Sequence, residues 1–398
     1  MTLSLRRLWN VSRFRPVLPI TRRLPLLDRW LLAELLGPLL FGIASFTAVS
    51  LSVGAVFELV RRIAESGLPL DVAVRVLILE LPSFLVLSFP MATLMATLLT
   101  YSKLTGNSEL TALRSVGVPT WRMVVPALGL ALVMSLLTFS FNEALVPHTL
   151  VQAKATLNRA IGRAVAGEQR DRVTYTRFGQ IVAPDGSRER GLTHFFYAQR
   201  FNEGVMEQVT LLDLSRTGQR LMLTADQARW SEQEAQWEFI NGNVYVVAEG
   251  EDAPNTSARF DRYLYPLGNQ PMRVAELPTD ANTMTIGQAR TAERLLRESG
   301  DRKAARKMRV RIAEKFSFPA VCLVFGLLGS SLGVRPNSKR SRSQGFGLSV
   351  VLIFSYYLVA FSFSAMGVNG ALPPLVTAWA PVLIFVLIGL ALLRRASR

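Results

Sequence analysis

The amino-acid sequence predicts an α-helical membrane protein with six transmembrane helices and an inserted all-β, jelly-roll-like periplasmic domain. Four separate windows of 19–23 residues contain no charged side chain. Each is close to the roughly 20 residues that a helix needs to cross the hydrocarbon of a bilayer. A fifth uncharged run covers 51 residues near the C-terminal end. Between the third and fourth windows the pattern changes to short alternating segments, which favour strands.

The limits of these runs give the spans. The four windows predict spans at about residues 35–57, 77–102, 123–146 and 314–334. The 51-residue run is too long for one helix. Its turn residues, GVNGALPP at 367–374, divide it into spans at about 345–366 and 374–393.

The basic flanks of the spans predict the orientation. Lys and Arg are concentrated in the N-terminal tail, the 103–122 loop, the 335–343 loop and the C-terminal tail, which six spans place on one side. The positive-inside rule makes that side the cytoplasm, so both termini are expected there. The predicted domains are a membrane half at 1–146, an outer β domain at 147–284, and a helical connector with a second membrane half at 285–398.

The outer region alternates in four segments, at 172–183, 209–215, 228–247 and 259–267. PDG at 184–186 and NGN at 241–243 are predicted to separate strands. Short strands at such spacing favour an antiparallel sandwich or jelly roll. After Pro278 the pattern becomes helical, with Thr285 as the expected N-cap and Gly300 at the end of the connector helix.

Composition excludes several function classes. The net charge of +16 lies largely beside the apolar runs, where it fixes topology, so nucleic acid is not expected as a partner. One cysteine, Cys322, and two histidines, His148 and His194, leave no disulfide and predict neither a metal site nor a cofactor. No G-x-x-x-x-G-K-[ST] sequence occurs, so no P-loop for ATP is present. Gly329–Gly333 fits G-x-S-x-G but lies in an apolar helix, which predicts packing rather than catalysis.

The loop between the second and third spans reads TGNSELTALRSVG, at 105–117. It predicts a helix over about 107–117, capped by Asn107 or Ser108 and ended by Gly117. Leu110, Leu113 and Val116 recur at one-turn spacing and form one apolar stripe.

Glu109 in the first turn of this helix and Arg114 in its second half both suit the helix dipole. The pattern leaves two interpretations open, a helix lying at the lipid interface or a docking element for a cytoplasmic partner. On the other side of the membrane, Arg61, Arg62 and Arg75 are either interface anchors or a clamp on an anionic lipid headgroup.

Several motifs together resemble the LptF/LptG permease family of lipopolysaccharide export. They are LDRWLLAELLGPLLFG (27–42), LPSFLVLSFPMATLMATLL (81–99), SELTALRSVGV (108–118), RIAEKFSFPAVCLVFGLLGSSLG (311–333), and the β-domain residues Trp230, Trp237, Phe239, Asn241, Gly242, Val244 and Tyr245. The resemblance implies six spans in the bacterial inner membrane with a periplasmic jelly roll between the third and fourth. The chain would be a transporter subunit rather than an enzyme.

The resemblance also implies partners and site residues. The 107–117 helix would be the coupling helix of a cytoplasmic, LptB-like ATPase dimer, with Glu109, Leu110, Leu113 and Arg114 as coupling residues. A second permease subunit, a paralogue or a second copy, would complete a cavity for lipopolysaccharide, and periplasmic LptC/LptA-like β-jellyroll proteins would receive it.

In one branch of this family a basic pair after the first span contacts the headgroup, which implies that role for Arg61 and Arg62. That branch has a lysine deeper in the span where this chain has Ala55, so the LptF or LptG branch stays open. The alternatives are a permease for another lipid or lipoprotein, or a membrane-anchored protein that binds a periplasmic ligand. A membrane-embedded hydrolase ranks last, because no nucleophile–base pair is evident.

Overall fold

A computed structural model of the chain describes residues 25–66, 68–160, 170–182, 188–202, 204–215, 219–248, 256–275, 280–334 and 342–397. Six described helical segments are long and apolar enough to cross a membrane. They are Leu26–Glu65, Leu70–Gly106, Thr120–Leu157, Arg302–Gly333, Gly345–Asn369 and Pro374–Ser397. The prediction of six membrane helices is therefore confirmed, and the chain is a multi-pass membrane protein.

The helices, numbered in chain order, are α1 Leu26–Leu51, α2 Phe57–Ser66, α3 Leu70–Gly106, α4 Glu109–Ser115, α5 Thr120–Ser140, α6 Val146–Ala160, α7 Gln270–Ala275, α8 Ile286–Glu298, α9 Arg302–Gly333, α10 Arg342–Asn369 and α11 Pro374–Ser397. Short π-helical turns, Ser52–Val56 and Phe141–Leu145, join α1 to α2 and α5 to α6. The strands are β1 Arg170–Val182, β2 Arg188–Asn202, β3 Val205–Asp213, β4 Gln219–Ser231, β5 Gln236–Ala248 and β6 Thr256–Tyr265.

Several helices are longer than the uncharged windows that predict them. The third span continues through α6 to Ala160, and α9 begins at Arg302, well before the predicted span at about 314. The polar flank of α9 is rich in Ala, Lys and Arg, which are good helix formers, so the helix continues out of the apolar segment. The helix bundle therefore extends beyond its apolar part at the end that carries the sheet.

The inserted domain is one antiparallel sheet of six strands, in the order β1-β2-β3-β4-β5-β6. This confirms the antiparallel all-β class, and within the described strands each neighbour in the sheet is also the neighbour in sequence. Strand β2 was not among the predicted segments. The expectation that NGN separates strands is wrong, because Asn241 (φ 51°) and Gly242 lie inside β5. PDG at 184–186 lies outside the described residues.

The apolar face of the sheet forms one core with the helices that follow it. Phe196 of β2 and Trp237 and Phe239 of β5 are 0% exposed. Residues of α8, including Ala292 and Leu296, pack into the same cluster. The Nε1 group of Trp237 also donates a hydrogen bond to the carbonyl of Gly268, 2.9 Å away. The sheet is thus closed on one face by the connector helix.

Helix α9 is the central helix of the membrane bundle. In its apolar window 72% of the residues are buried, against 17–39% in the other five spans. Three glycines allow this close packing, because a Cβ atom at Gly326, Gly329 or Gly333 would run into α5 or α3. The small residues of the G-x-S-x-G segment therefore pack helices, as predicted.

Candidate functional site

The short helix α4 lies at one end of the bundle, called here the α4 end. Gly117 ends this helix, as predicted. Gly117 adopts φ 91°. Its N–H donates to the carbonyl of Arg114 at 2.9 Å, and the N–H of Val118 donates to the carbonyl of Leu113 at 3.1 Å. These two bonds form a Schellman motif, in which glycine accepts the left-handed backbone without strain.

The N-terminus of α4 differs from the prediction. Neither Asn107 nor Ser108 caps it with a side-chain hydrogen bond to the first turn. Ser108 has a left-handed backbone, φ 62°, whereas a capping side chain requires an extended one. The Nδ2 group of Asn107 instead donates to Oε1 of Glu109 at 2.9 Å. A tight two-residue turn between α3 and α4 thus replaces the expected cap.

The predicted apolar stripe of α4 is divided between two environments. Leu110 is 1% exposed and Leu113 packs against the same cluster, which includes residues of α1, α3 and α5. Val116 is 84% exposed. The two leucines therefore hold α4 against the bundle. The outward face consists of Thr111, Ala112, Ser115 and Val116.

Arg114 points inward and connects α4 to the end of α9. Its Nη2 atom donates to the carbonyl of Val334 at 3.0 Å, and Oγ1 of Thr105 donates to the carbonyl of Gly333 at 2.7 Å. These are carbonyls at the C-terminus of α9, where helices lack internal donors and where a positive charge is favourable. Burial lowers the pKa of Arg114. The coupling roles of Glu109, Leu110, Leu113 and Arg114 stay predictions.

Two ion pairs, not predicted from the sequence, tie α1 to its neighbours near α4. Nζ of Lys103 lies 2.7 Å from Oε2 of Glu34, and Nη2 of Arg122 lies 2.9 Å from Oδ2 of Asp28. Asp28 is 9% exposed. These ion pairs connect α1 to α3 and to α5 at the end of the bundle that carries α4.

The basic residues after the first span have a partner that the sequence analysis did not consider. Glu58 pairs with both Arg61 and Arg62, each at 2.8 Å. Their separations of three and four residues place all three on one helix face, which was a readable signal. Arg75 is exposed on α3. The headgroup role of these three arginines stays a prediction.

A polar joint connects the bundle to the sheet at the opposite end. Glu143, in the π-helical turn of the third span, accepts the N–H of Ile286 at 2.8 Å and 3.1 Å. Nζ of Lys315 in α9 donates to the carbonyl of Met284 at 2.6 Å and lies 3.9 Å from Glu143. Thr285 between them caps α8 in a capping box, as predicted.

Helix α9 therefore takes part in both ends of the molecule. Ala305 and Met308 belong to the core beneath the sheet, whereas Cys322 and Val334 belong to the core that holds α4. Sequence patterns could not reveal this, because the contacts join residues that lie far apart in the chain.

A comparison with protein families identifies the family to which this chain belongs. The family model described as lipopolysaccharide export system permease LptF/LptG matches residues 29–395. The chain belongs to the LptF/LptG family. No curated protein sequence matches the chain. Membership confirms the resemblance stated above and makes this LptF/LptG protein a permease, a transporter subunit rather than an enzyme.

Proposed function

We propose that this LptF/LptG permease is the membrane subunit of an ABC-type exporter that extracts lipopolysaccharide from the inner membrane and passes it to a periplasmic bridge. In this proposal α4 faces the cytoplasm and docks on an LptB-like ATPase dimer. The sheet lies in the periplasm, and a second permease subunit completes the lipid cavity. The family supports the substrate class. The basic flanks of the spans support the orientation.

The observation that carries the proposal is the contact between Arg114 and Val334. It joins the proposed docking helix to the C-terminus of a single helix of 32 residues whose other end packs under the sheet. A displacement of α4 is thereby applied to α9. Such rigid-body transmission is a common way to link a nucleotide site to a distant binding site.

External energy is required by the chemistry of the substrate. Removing acyl chains from a bilayer costs about 0.8 kcal/mol for each methylene group, so a glycolipid with several chains costs tens of kcal/mol. Since the sequence contains no P-loop of its own, that energy comes from a separate ATPase subunit.

The sheet offers a simple way to join a periplasmic bridge. Strands β1 and β6 are the two edges of the described sheet, and most of β6 is exposed. An edge strand presents unpaired backbone groups that another β protein can extend. We infer that an LptC/LptA-like β-jellyroll protein binds at one of these edges.

The proposal is tested by purifying the full chain with its partners in a mild detergent. Wild type should retain a cytoplasmic ATPase and lipopolysaccharide, both identified by mass spectrometry. Glu109→Lys should lose the ATPase, because it reverses the charge at the partly exposed first turn of α4, whereas Glu232→Lys in the β4–β5 turn should keep it. An ATPase retained equally by both variants would contradict the docking role. Another bound lipid would indicate a different cargo.

A further inference from the structure

A wide arginine-lined groove lies between the sheet and the outer ends of the membrane helices, and the functions described above do not use it. Its volume is about 1430 Å³. Strand β1, helices α8 and α9, and the turn between α10 and α11 form its walls. The arginines that line it are Arg177, Arg294, Arg297, Arg302, Arg306 and Arg309.

The charge of this groove is strongly one-sided. Glu298 is the one carboxylate among its described lining residues. Arg309 is paired with Glu293, and Arg306 donates to the carbonyl of Asn369 at 3.2 Å. The other four arginines form no ion pair with another residue that the structure describes. Like charges that line one groove repel one another, and an anion bound among them would reduce that repulsion.

The chemistry of the walls indicates the kind of anion. Guanidinium groups bind phosphate oxygens in bidentate geometry and remain charged at any physiological pH. One wall is different, because Leu372 and Pro373 of the α10–α11 turn and Pro374 at the start of α11 make it apolar. This turn joins two membrane spans, so it lies at the level where lipid headgroups begin. A groove with phosphate-binding and apolar walls at that level suits an amphiphile with a phosphorylated headgroup.

We propose that this groove binds phosphomonoester groups on the headgroup of an anionic glycolipid, on its way from the bundle to the sheet. The inference deepens the proposed function, on whose substrate class and orientation it rests. It assigns the headgroup contact to residues other than Arg61, Arg62 and Arg75, none of which lines the groove. Arg297 and Arg302 are the best residues to test, because both are exposed and lie on adjoining ends of α8 and α9.

The experiment measures binding to the purified full chain in detergent, without the ATPase. The probes are a bis-phosphorylated lipid A, the same lipid after enzymatic removal of its phosphates, and inorganic phosphate. The double variant Arg297→Gln/Arg302→Gln should weaken binding of the phosphorylated lipid by about tenfold or more, since charge-assisted hydrogen bonds are lost. Arg290→Gln, also exposed on α8 but outside the groove, is the matched control and should bind as wild type does.

The two further probes separate the possible sources of phosphate. Weak or absent binding of inorganic phosphate, together with poor binding of the dephosphorylated lipid by wild type, supports a headgroup site. Inorganic phosphate that binds as tightly as the lipid would overturn the lipid assignment, as would equal binding of both lipids. Because no ATPase is present, a failure of the docking role of α4 leaves these results unchanged. The two proposals therefore fail separately.

Discussion

Nη2 of Arg114 lies 3.0 Å from the carbonyl oxygen of Val334, although 220 positions separate the two residues in the chain. One belongs to the short helix α4 and the other ends α9. Because Leu110 is buried beside them, α4 cannot shift without moving the end of α9 or breaking this bond. The predictions below test this connection, the surfaces on either side of it, and the packing on which it depends.

Replacing Val116 by Asp should abolish association with the proposed ATPase partner while leaving the permease folded. Val116 is 84% exposed on the outward face of α4, so a charge there meets solvent in the free protein, whereas in the proposed complex it would lie in the docking interface. Surface substitutions of this kind change stability by about 0.5 kcal/mol or less. Co-purification and thermal unfolding in detergent measure the two effects. Val116→Thr, which keeps the shape, is the control. Normal association of the Asp variant would show that this face is not the docking surface.

Replacing Glu143 by Ala should loosen the joint between the bundle and α8. The substitution leaves the N–H of Ile286, a residue 9% exposed, without its acceptor. An unpaired buried donor costs about 1–3 kcal/mol. Hydrogen exchange at the Ile286 amide should become faster, whereas Glu232→Ala in the exposed β4–β5 turn should leave it unchanged. Unaltered exchange in the Glu143 variant would mean that this carboxylate does not hold the joint.

The sheet should lose stability as the pH falls below about 6.5, the ordinary pKa of histidine. Burial lowers the pKa of His194, an effect stronger than the opposing pull of Asp213. The unfolded chain then binds a proton more readily than the folded one, so acidification favours unfolding. The pKa of Asp213 is also lowered, because hydrogen bonds from Ser215 and Tyr265 outweigh burial, and its contribution is lost only at more acidic pH.

Thermal unfolding of the full chain between pH 8 and pH 5 tests this pH dependence. His194→Gln should flatten the profile in that window. His148→Gln, at the exposed histidine of α6, should leave the profile as in wild type. If both variants kept the wild-type slope, another group would have to be responsible.

Adding one methyl group to a membrane helix should disturb the bundle only where that helix touches a neighbour. At Gly329 a Cβ atom would lie 2.9 Å from the carbonyl of Leu94 and 3.0 Å from the backbone nitrogen of Leu98. Overpacking of this kind costs about 1–3 kcal/mol. At Gly129 of α5 nothing lies within 4 Å, so Gly129→Ala should instead stabilise the helix by about 0.5–1 kcal/mol. Opposite shifts in melting temperature are expected, and equal shifts would contradict the packing of α9 against α3.

Features that depend on local composition could be predicted from the sequence. Uncharged windows gave the six membrane helices, and Gly117 and Thr285 marked a helix end and a helix start correctly. The cap expected from Asn107 or Ser108 was wrong, because the turn between two closely spaced helices determines the backbone there. Strand β2 escaped prediction because its aromatic run, HFFY at 194–197, hides the alternation of buried and exposed residues.

Contacts between distant parts of the chain could not be predicted. The sequence indicated that Leu110, Leu113 and Val116 share a helix face, but not that the bundle buries Leu110 and leaves Val116 exposed. It showed many arginines between 290 and 309 without indicating that the fold gathers five of them, with Arg177, around one groove. These arrangements depend on packing, for which a single sequence carries no direct signal.

The most direct test of the central claim is the amount of lipopolysaccharide released per ATP hydrolysed by Arg114→Ala, reconstituted with the proposed ATPase and second permease subunit. The variant loses a hydrogen bond from a charged donor, a loss of about 1.5–3 kcal/mol, so release per ATP should fall by about tenfold or more. ATP hydrolysis itself and assembly of the complex should persist, because the outward face of α4 is intact. Glu232→Ala, in the exposed β4–β5 turn and away from α4, provides the reference. A ratio equal to that of wild type would contradict transmission from α4 through α9.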